Sequence, residues 1–105
     1  MKTIIRKSAY GTWMAETTLP LANDLHICLT TMKRSSGNIT TTATVGKQNG
    51  RLFIYEPFKD FNQSLISSSE RCTKPAVERQ HTAAIAMLDS IRTQALAHYD
   101  QEVTA

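Results

Sequence analysis

Apolar and polar residues alternate along the first half of the chain, which is the pattern of β-strands with one buried face. The alternation is clearest in residues 12–19, 25–33 and 39–45, where one set of alternate positions is mostly apolar and the other is rich in threonine. Residues 51–56 are predicted as a further short strand, which ends at Pro57 because proline has no N–H to donate to a sheet ladder.

Turn-forming residues lie between these segments, and their spacing favours hairpins. Residues 23–24 are Asn-Asp, residues 33–38 form a polar loop with one glycine, and residues 46–50 end in Asn-Gly. Asn-Gly tolerates the positive φ angles of a tight hairpin, so 46–50 is the clearest predicted turn. Residues 3–9 can form a separate strand or the start of one long bent strand, because Gly11 suggests a bulge or bend.

The second half of the chain shows helical spacing. Residues 57–74 are predicted as a loop with at most one helical turn, or alternatively as a short edge strand around residues 63–68. Residues 75–99 are predicted as one long helix, which Thr73 can cap. One apolar stripe runs along this helix, and its only histidine is expected to be a core or boundary residue with satisfied hydrogen bonds. The stripe consists of Val77, His81, Ala84, Ile85, Leu88, Ile91 and Ala95.

These elements predict an α+β fold in a single domain that spans residues 1–105, a length that fits one domain. The architecture is an antiparallel four- to five-stranded β-meander over about residues 2–56, a loop over 57–74, and one long C-terminal α-helix over about 75–99 that packs on one sheet face. The predicted core between sheet and helix consists of Trp13, Leu25, Ile27, Leu29, Ile39, Val45, Val77, Ile85, Leu88 and Ile91.

One helix cannot cover both faces of a sheet, so the second face is predicted to be open. This face is rich in threonine, and two explanations stay open for it. Threonine has high strand propensity, so the face can simply be a well-formed solvated one. Alternatively it is a contact surface for a ligand or for a second copy in a homodimer. The candidate interface residues are Met14, Thr30, Met32, Thr40, Thr42 and Thr44.

The net charge of +3 hides an asymmetry between the two halves of the chain. Residues 1–51 contain seven Lys or Arg and two Asp or Glu, whereas residues 52–105 contain five and seven. Basic side chains beside an aromatic-bearing sheet are a common way to hold single-stranded nucleic acid. The candidate phosphate contacts, at or beside the hairpin loops, are Lys33, Arg34, Lys47 and Arg51, and the candidate stacking residues are Phe53 and Tyr55. The alternative is that Leu52 and Ile54 occupy the open face instead.

Catalytic and metal chemistry find little support in the sequence. Cys28 and Cys72 lie forty-four positions apart, which excludes a close pair of zinc-binding cysteines. His26 and Cys28 could start a metal site, but two further ligands would be needed. The glycines form no phosphate-binding loop, and no paired carboxylates stand out for acid–base chemistry. We therefore expect no enzyme activity, no catalytic residue, no metal and no cofactor.

No apolar run follows the basic residues at the N-terminus, and no stretch has the ~18 consecutive apolar residues of a membrane span. The sequence therefore predicts no signal peptide and no membrane partner. We expect a cytoplasmic protein whose two cysteines are reduced.

The order of four strands followed by a helix is similar to the repeat of the Whirly-type single-stranded DNA-binding proteins. This similarity concerns the order of elements only and carries no residue across. The sequence thus predicts a small non-catalytic binding module for single-stranded nucleic acid, which uses the open sheet face and the basic hairpin loops. The alternative is a protein-interaction module, such as a small inhibitor or regulatory adaptor, that uses the Thr/Met-rich face.

Overall fold

Six β-strands precede two α-helices in the computed structural model, which describes residues 2–22, 25–49, 52–55 and 61–104. The strands are β1 Lys2–Lys7, β2 Trp13–Ala22, β3 Leu25–Lys33, β4 Ile39–Asn49, β5 Leu52–Tyr55 and β6 Asn62–Ser68. The helices are α1 Lys74–Ile85 and α2 Leu88–Thr104.

All strand pairs in the sheet are antiparallel, and the first five strands follow each other in the order β1-β2-β3-β4-β5. The predicted α+β fold with a β-meander is therefore confirmed, and β1 is a separate strand. The sixth strand pairs with β4, so two strands share the outer edge of β4. Residues 39–44 of β4 pair with β6 and residues 46–49 pair with β5.

Two predicted loops are replaced by strand. The loop expected over 57–74 contains β6, as the alternative around 63–68 proposed, because β4 still has a free edge there. The predicted turn over 46–50 is wrong in position, since Gly46 to Asn49 belong to β4 and Asn49 pairs with Leu52. The residues that join Asn49 to Leu52 lie outside the described part of the chain.

The single helix predicted over 75–99 is also wrong, because two helices occupy this region. Thr73 caps α1 as expected, and its side chain accepts a hydrogen bond from the Ala76 N–H at 3.3 Å. The helix ends at a tight turn, in which the Met87 N–H donates to the Ala84 carbonyl at 3.0 Å. Neither Ala86 nor Met87 is a helix breaker, so the sequence carries no local signal for this turn.

The helices bury one face of the sheet, and the core divides into two clusters. The larger cluster lies under α2 and α1 and contains Leu21, Ile27, Leu29, Ala43, Val45, Ile91 and Ala95. The smaller cluster lies under α1 and contains Ala15, Ile39, Ala76 and Val77. Four predicted core residues, Trp13, Leu25, Ile85 and Leu88, are only half-buried and pack against the margins of these clusters. Burial fails there because these residues lie at the ends of their strands or at the break between the helices.

Two hairpins, β1–β2 and β3–β4, have the same three-residue turn. In each, a backbone N–H reaches back three residues (Gly11 to Ser8, Gly37 to Arg34, both 2.9 Å). Both glycines have a positive φ, +79° at Gly11 and +93° at Gly37. This is the type I turn followed by a left-handed residue that joins tight hairpins. Both turns lie at the same end of the sheet.

Substitution of Gly37 tests this turn. A Cβ atom at Gly37 would meet nothing within 4 Å, so any loss of stability comes from the backbone angle and not from a clash. We expect Gly37→Ala to lower the free energy of unfolding by about 1–2 kcal/mol, and Gly37→Asn to cost less, because asparagine tolerates the left-handed region. Urea denaturation measures the difference. Ser35→Ala in the same turn is the control, and an equal loss in that variant would contradict the explanation.

Candidate functional site

A cleft of about 550 Å³ lies at the end of the sheet between the two hairpin turns. We call it the hairpin cleft. It is lined by Ser8, Tyr10, Thr12, Met32, Lys33, Arg34 and Ser35. The cleft exists because the β1–β2 and β3–β4 turns project side by side while the sheet between them ends. Its walls combine hydroxyl groups, one aromatic ring and two cationic residues.

Tyr10 is the most exposed large side chain of this cleft, with 91% of its surface accessible. It lies at the tip of the β1–β2 turn, between Ala9 and Gly11. The prediction from sequence missed it, because the alternation that identifies strand faces does not extend into turns. The available signal was its position next to a turn glycine, where a large aromatic residue has no core to pack against.

Lys33 and Arg34 are the two predicted phosphate contacts that the structure brings together. Both line the hairpin cleft, one at the end of β3 and the other at the start of the turn. Arg34 extends back over the open face, where its Nη2 donates to Thr42 Oγ1 at 3.1 Å. This contact connects the hairpin cleft to the threonine-rich face of the sheet.

The other predicted nucleic-acid contacts lie elsewhere. Lys47 pairs with Leu25 at the opposite end of β3 from Lys33, about 26 Å away at ~3.3 Å per residue. Arg51 lies outside the described residues. The backbone of Phe53 pairs with Gln48 and that of Tyr55 with Gly46, so both positions are in phase with Thr42 and Thr44 on the open face. The side chains of these two aromatic residues are outside the described part of the structure.

Further cations lie near the same end of the sheet as the hairpin cleft. Lys7 and Lys74 each place their Nζ 5.4 Å from the ring centroid of Trp13, close enough for a cation–π contact. Lys74 is also 3.9 Å from a carboxylate oxygen of Glu78. Arg71 is exposed in the segment that leads into α1. The hairpin end of the sheet is therefore bordered by basic residues from three separate segments of the chain.

The open face, which we define as the sheet face away from the helices, contains the predicted interface residues. Met14, Thr42 and Thr44 are buried there, with 8%, 8% and 7% of their surface accessible, although no described helix covers them. Arg34 lies against Thr42, to which it donates a hydrogen bond at 3.1 Å, and Thr44 donates to the Cys28 carbonyl at 3.5 Å. The members that a partner could contact more readily are half-buried: Thr30, Met32 and Thr40.

A chain of hydrogen bonds crosses the buried side of the sheet around His81. The imidazole Nε2 lies 2.7 Å from Thr17 Oγ1, and Nδ1 lies 2.8 Å from Thr31 Oγ1. Thr31 continues the chain to Thr41 at 2.7 Å, and the Gln80 amide donates to Thr41 Oγ1 at 3.1 Å. Sequence analysis expected a satisfied core or boundary histidine, and this expectation is confirmed.

Burial lowers the pKa of His81 below its ordinary value, because desolvation penalises the imidazolium. The residue is 2% exposed and both ring nitrogens hydrogen-bond to hydroxyl groups, so burial and its partners favour the neutral imidazole. Its role in the described part of the chain is to join α1 to β2 and β3. This is a structural role, and the hydrogen-bond chain holds in place the strands that carry the hairpin cleft.

The two cysteines are both free and lie apart. Cys28 is on the open face beside Thr30, at 3.5 Å, and Cys72 contacts the carbonyl oxygen of Trp13 on the helix side. Among the described residues, no group of three or more His, Cys, Asp or Glu could hold a metal ion. No helix in the described ranges is long and apolar enough to cross a membrane.

Comparisons with protein-family models, with curated proteins and with solved structures found no match to this chain. The case for a function therefore depends on the geometry and chemistry of its own residues.

Proposed function

We propose that this protein binds single-stranded nucleic acid at the hairpin cleft. The observation that carries the proposal is the exposed ring of Tyr10 in the same cleft as Lys33 and Arg34. Proteins that bind single strands combine aromatic rings, on which bases stack, with cations that follow the phosphate backbone. Both components are present within one cleft of about 550 Å³.

The surroundings of the cleft support a path for the strand. Arg34 extends from the cleft onto the open face, which offers threonine hydroxyl groups to sugars and phosphates. Lys7 and Lys74 add positive charge at the same end of the sheet. The path follows the open face toward the positions of Phe53 and Tyr55, so a short oligonucleotide engages the cleft alone and a longer one also reaches these positions. Lys47 is in phase with Val45 on the helix side of the sheet, so it does not lie on this path.

Binding of fluorescently labelled oligothymidylates tests this function. We expect saturable binding whose affinity falls steeply with salt, because phosphate contacts release counterions. Tyr10→Ala should weaken binding by about 5- to 150-fold, the equivalent of one lost base stack. Lys33→Ala with Arg34→Ala should reduce the slope of log affinity against log salt by ~1.4, at ~0.7 for each phosphate contact.

Arg92→Ala is the matched control, since Arg92 is an exposed cation on α2, away from the hairpin cleft. This variant should bind as the wild type does. Absence of saturable binding at low salt, or equal losses in the Arg92 and Tyr10 variants, would overturn the proposal. Comparison of oligonucleotides of about 4 and about 16 nucleotides separates the cleft from the longer path, because only the longer one should respond to Phe53→Ala combined with Tyr55→Ala.

A second candidate is a protein-interaction module that acts through the open face, as a homodimer or with another protein. The observation that favours it is the exposure of Ile4, which is 49% accessible on this face, in the same cross-strand row as Glu16 and half-buried Thr30. Thr40→Asp would then abolish association, which light scattering or partner binding measures. Met14 is unsuited to this test, because it is buried and its substitution would affect folding.

A further inference from the structure

We propose that the free edge of β1 is a docking site for an extended acidic–apolar peptide segment, which would add a strand to the sheet. Among the described residues, β1 pairs with β2 alone and begins the order of the sheet. Addition of a strand to such an edge is a recurring mode of peptide recognition, in which backbone hydrogen bonds provide affinity and alternate side chains provide specificity.

The hydrogen bonds of the β1–β2 hairpin show which backbone groups are available. The Ser8 N–H donates to the Thr12 carbonyl at 2.7 Å, so this pair is hydrogen-bonded. Hydrogen-bonded and non-bonded pairs alternate along an antiparallel ladder. Ile4 and Arg6 are therefore bonded to β2, whereas the N–H and C=O groups of Thr3, Ile5 and Lys7 point toward the free edge.

A second cleft lies beside this edge, between β1 and α1, with a volume of about 290 Å³. We call it the edge cleft. It is lined by Thr3, Ile5, Glu78, His81, Thr82 and Ile85. Thr3 and Ile5 are the residues whose backbone points outward, so a strand paired with them would direct its side chains on the helix side toward this cleft. Ile5 and Ile85 favour an apolar side chain there, and Glu78 disfavours an acidic one.

The charge of β1 selects the residues at the intervening positions. The strand has the sequence Lys-Thr-Ile-Ile-Arg-Lys, with no acid, and the positions of Lys2 and Arg6 are in phase with the open face, whereas Lys7 is on the helix side over Trp13. Arg6 lies on the open-face side and is 56% exposed, although it also pairs with Glu16 at 3.0 Å. Acidic side chains of a bound strand would lie on this side. The site therefore fits a segment in which apolar residues face the edge cleft and acidic residues alternate with them.

The same charges argue against a second copy of this chain as the occupant. Two β1 strands side by side would bring their cations together, and lysine on edge strands is a means by which proteins prevent such pairing. A partner with complementary charge is thus favoured over self-association, and the two are distinguished by experiment.

The test uses a labelled heptapeptide of alternating glutamate and valine, titrated into the full chain. We expect saturable binding, with slower amide hydrogen exchange at Thr3, Ile5 and Lys7 in the complex. Thr82→Phe should fill the edge cleft and weaken binding by roughly tenfold or more, since the apolar pocket is lost. Thr93→Phe is the matched control, because both threonines are exposed and donate to the helix carbonyl four residues earlier.

Several results would overturn the proposal. One is that the glutamate–valine heptapeptide shows no saturable binding. Another is that Thr82→Phe and Thr93→Phe weaken its binding equally. A third is that a heptapeptide of alternating lysine and valine binds as tightly as the glutamate–valine heptapeptide. Protection of the same amides without peptide, together with a doubled mass in light scattering, would identify a second copy as the occupant. The oligothymidylate titration is independent of these outcomes, because Tyr10 does not line the edge cleft.

Discussion

Replacement of His81 by leucine is expected to lower the free energy of unfolding by about 2–5 kcal/mol. The two side chains are similar in size, so little of this loss comes from a cavity. The loss arises because the buried hydroxyl groups of Thr17 and Thr31 each lose a hydrogen-bond partner at 2.7 and 2.8 Å. Urea denaturation should show a lower midpoint with an unchanged slope.

The direction of the hydrogen bonds around His81 follows from Gln80. Its Nε2 lies 3.0 Å from the Ile39 carbonyl and 3.3 Å from the Ile66 carbonyl, so the NH₂ group must face them and donates to Thr41 as well. Thr41 can then donate to Thr31, and Thr31 to Nδ1 of His81. The imidazole proton is therefore on Nε2 and is donated to Thr17, so that every hydroxyl proton from Thr41 to His81 has an acceptor.

A fully apolar variant distinguishes lost hydrogen bonds from lost packing. When both partners of a buried hydrogen bond are replaced by apolar groups of similar shape, the change can be nearly neutral. We expect His81→Leu combined with valine at Thr17, Thr31 and Thr41 to be more stable than His81→Leu alone. Gln80 retains its two backbone acceptors in that variant.

Arg92→Leu, at an exposed position of α2, serves as the control and should change stability by less than about 1 kcal/mol. The explanation fails if His81→Leu costs no more than Arg92→Leu, or if the added valines make His81→Leu worse.

The strands of the meander could be predicted because each has one buried and one exposed face. Ile27 and Leu29 in β3 and Ala43 and Val45 in β4 occupy alternate positions, and all four are fully buried. The sixth strand could be proposed only as an alternative. It forms because β4 is longer than β5 and leaves residues 39–44 to pair, and such a tertiary cause is not visible in the local pattern.

The break between the helices could not be predicted for a related reason. Ala84 and Ile91 are both buried and lie on one continuous stripe of the sequence, which a single helix would also satisfy. The tight turn at Ala86 and Met87 contains no glycine or proline, so tertiary packing and not local propensity decides where α1 ends.

The candidate site was partly predictable. Lys33 and Arg34 could be chosen because basic residues in a hairpin loop must be solvent-accessible. Tyr10 could not be chosen in this way, because it lies 24 positions from Arg34 in the sequence. The two residues line one cleft only because their turns lie at the same end of the sheet. The sequence placed Lys47 in the same candidate site as Lys33 because both are basic. The strand register shows that the two residues lie at opposite ends of β3.

The stability of the protein should fall as the pH is lowered below the ordinary histidine pKa of about 6.5. Burial lowers the pKa of His81 in the folded protein, so the unfolded chain takes up a proton at a higher pH than the folded chain does. Stability from this group is therefore fully present above pH ~6.5 and is lost as the pH falls toward the folded pKa, with a slope of up to about 1.4 kcal/mol per pH unit.

Neighbouring groups do not reverse this direction. Thr17 and Thr31 face the ring from β2 and β3, and each can donate or accept but carries no charge. Glu78 lines the same cleft from α1, but its side chain is 44% exposed and lies 3.9 Å from Lys74 Nζ, so solvent and a cation reduce its effect on the ring. Protonation of Nδ1 would also require Thr31 to stop donating to it and would leave the Thr31 hydroxyl proton without this acceptor.

The free energy of unfolding of the wild type is compared with that of the variant that combines His81→Leu with Thr17→Val, Thr31→Val and Thr41→Val. Urea denaturation of both proteins from pH ~7.5 to ~5 isolates the contribution of His81. The carboxylates titrate alike in both proteins, so their effect cancels in the difference between the two curves. We expect the free energy of unfolding of the wild type, relative to that of the variant, to decrease as the pH is lowered. A difference that stays constant over this range would mean that the folded protein binds the proton as readily as the unfolded chain, and that the buried ring is not held neutral by its hydroxyl partners.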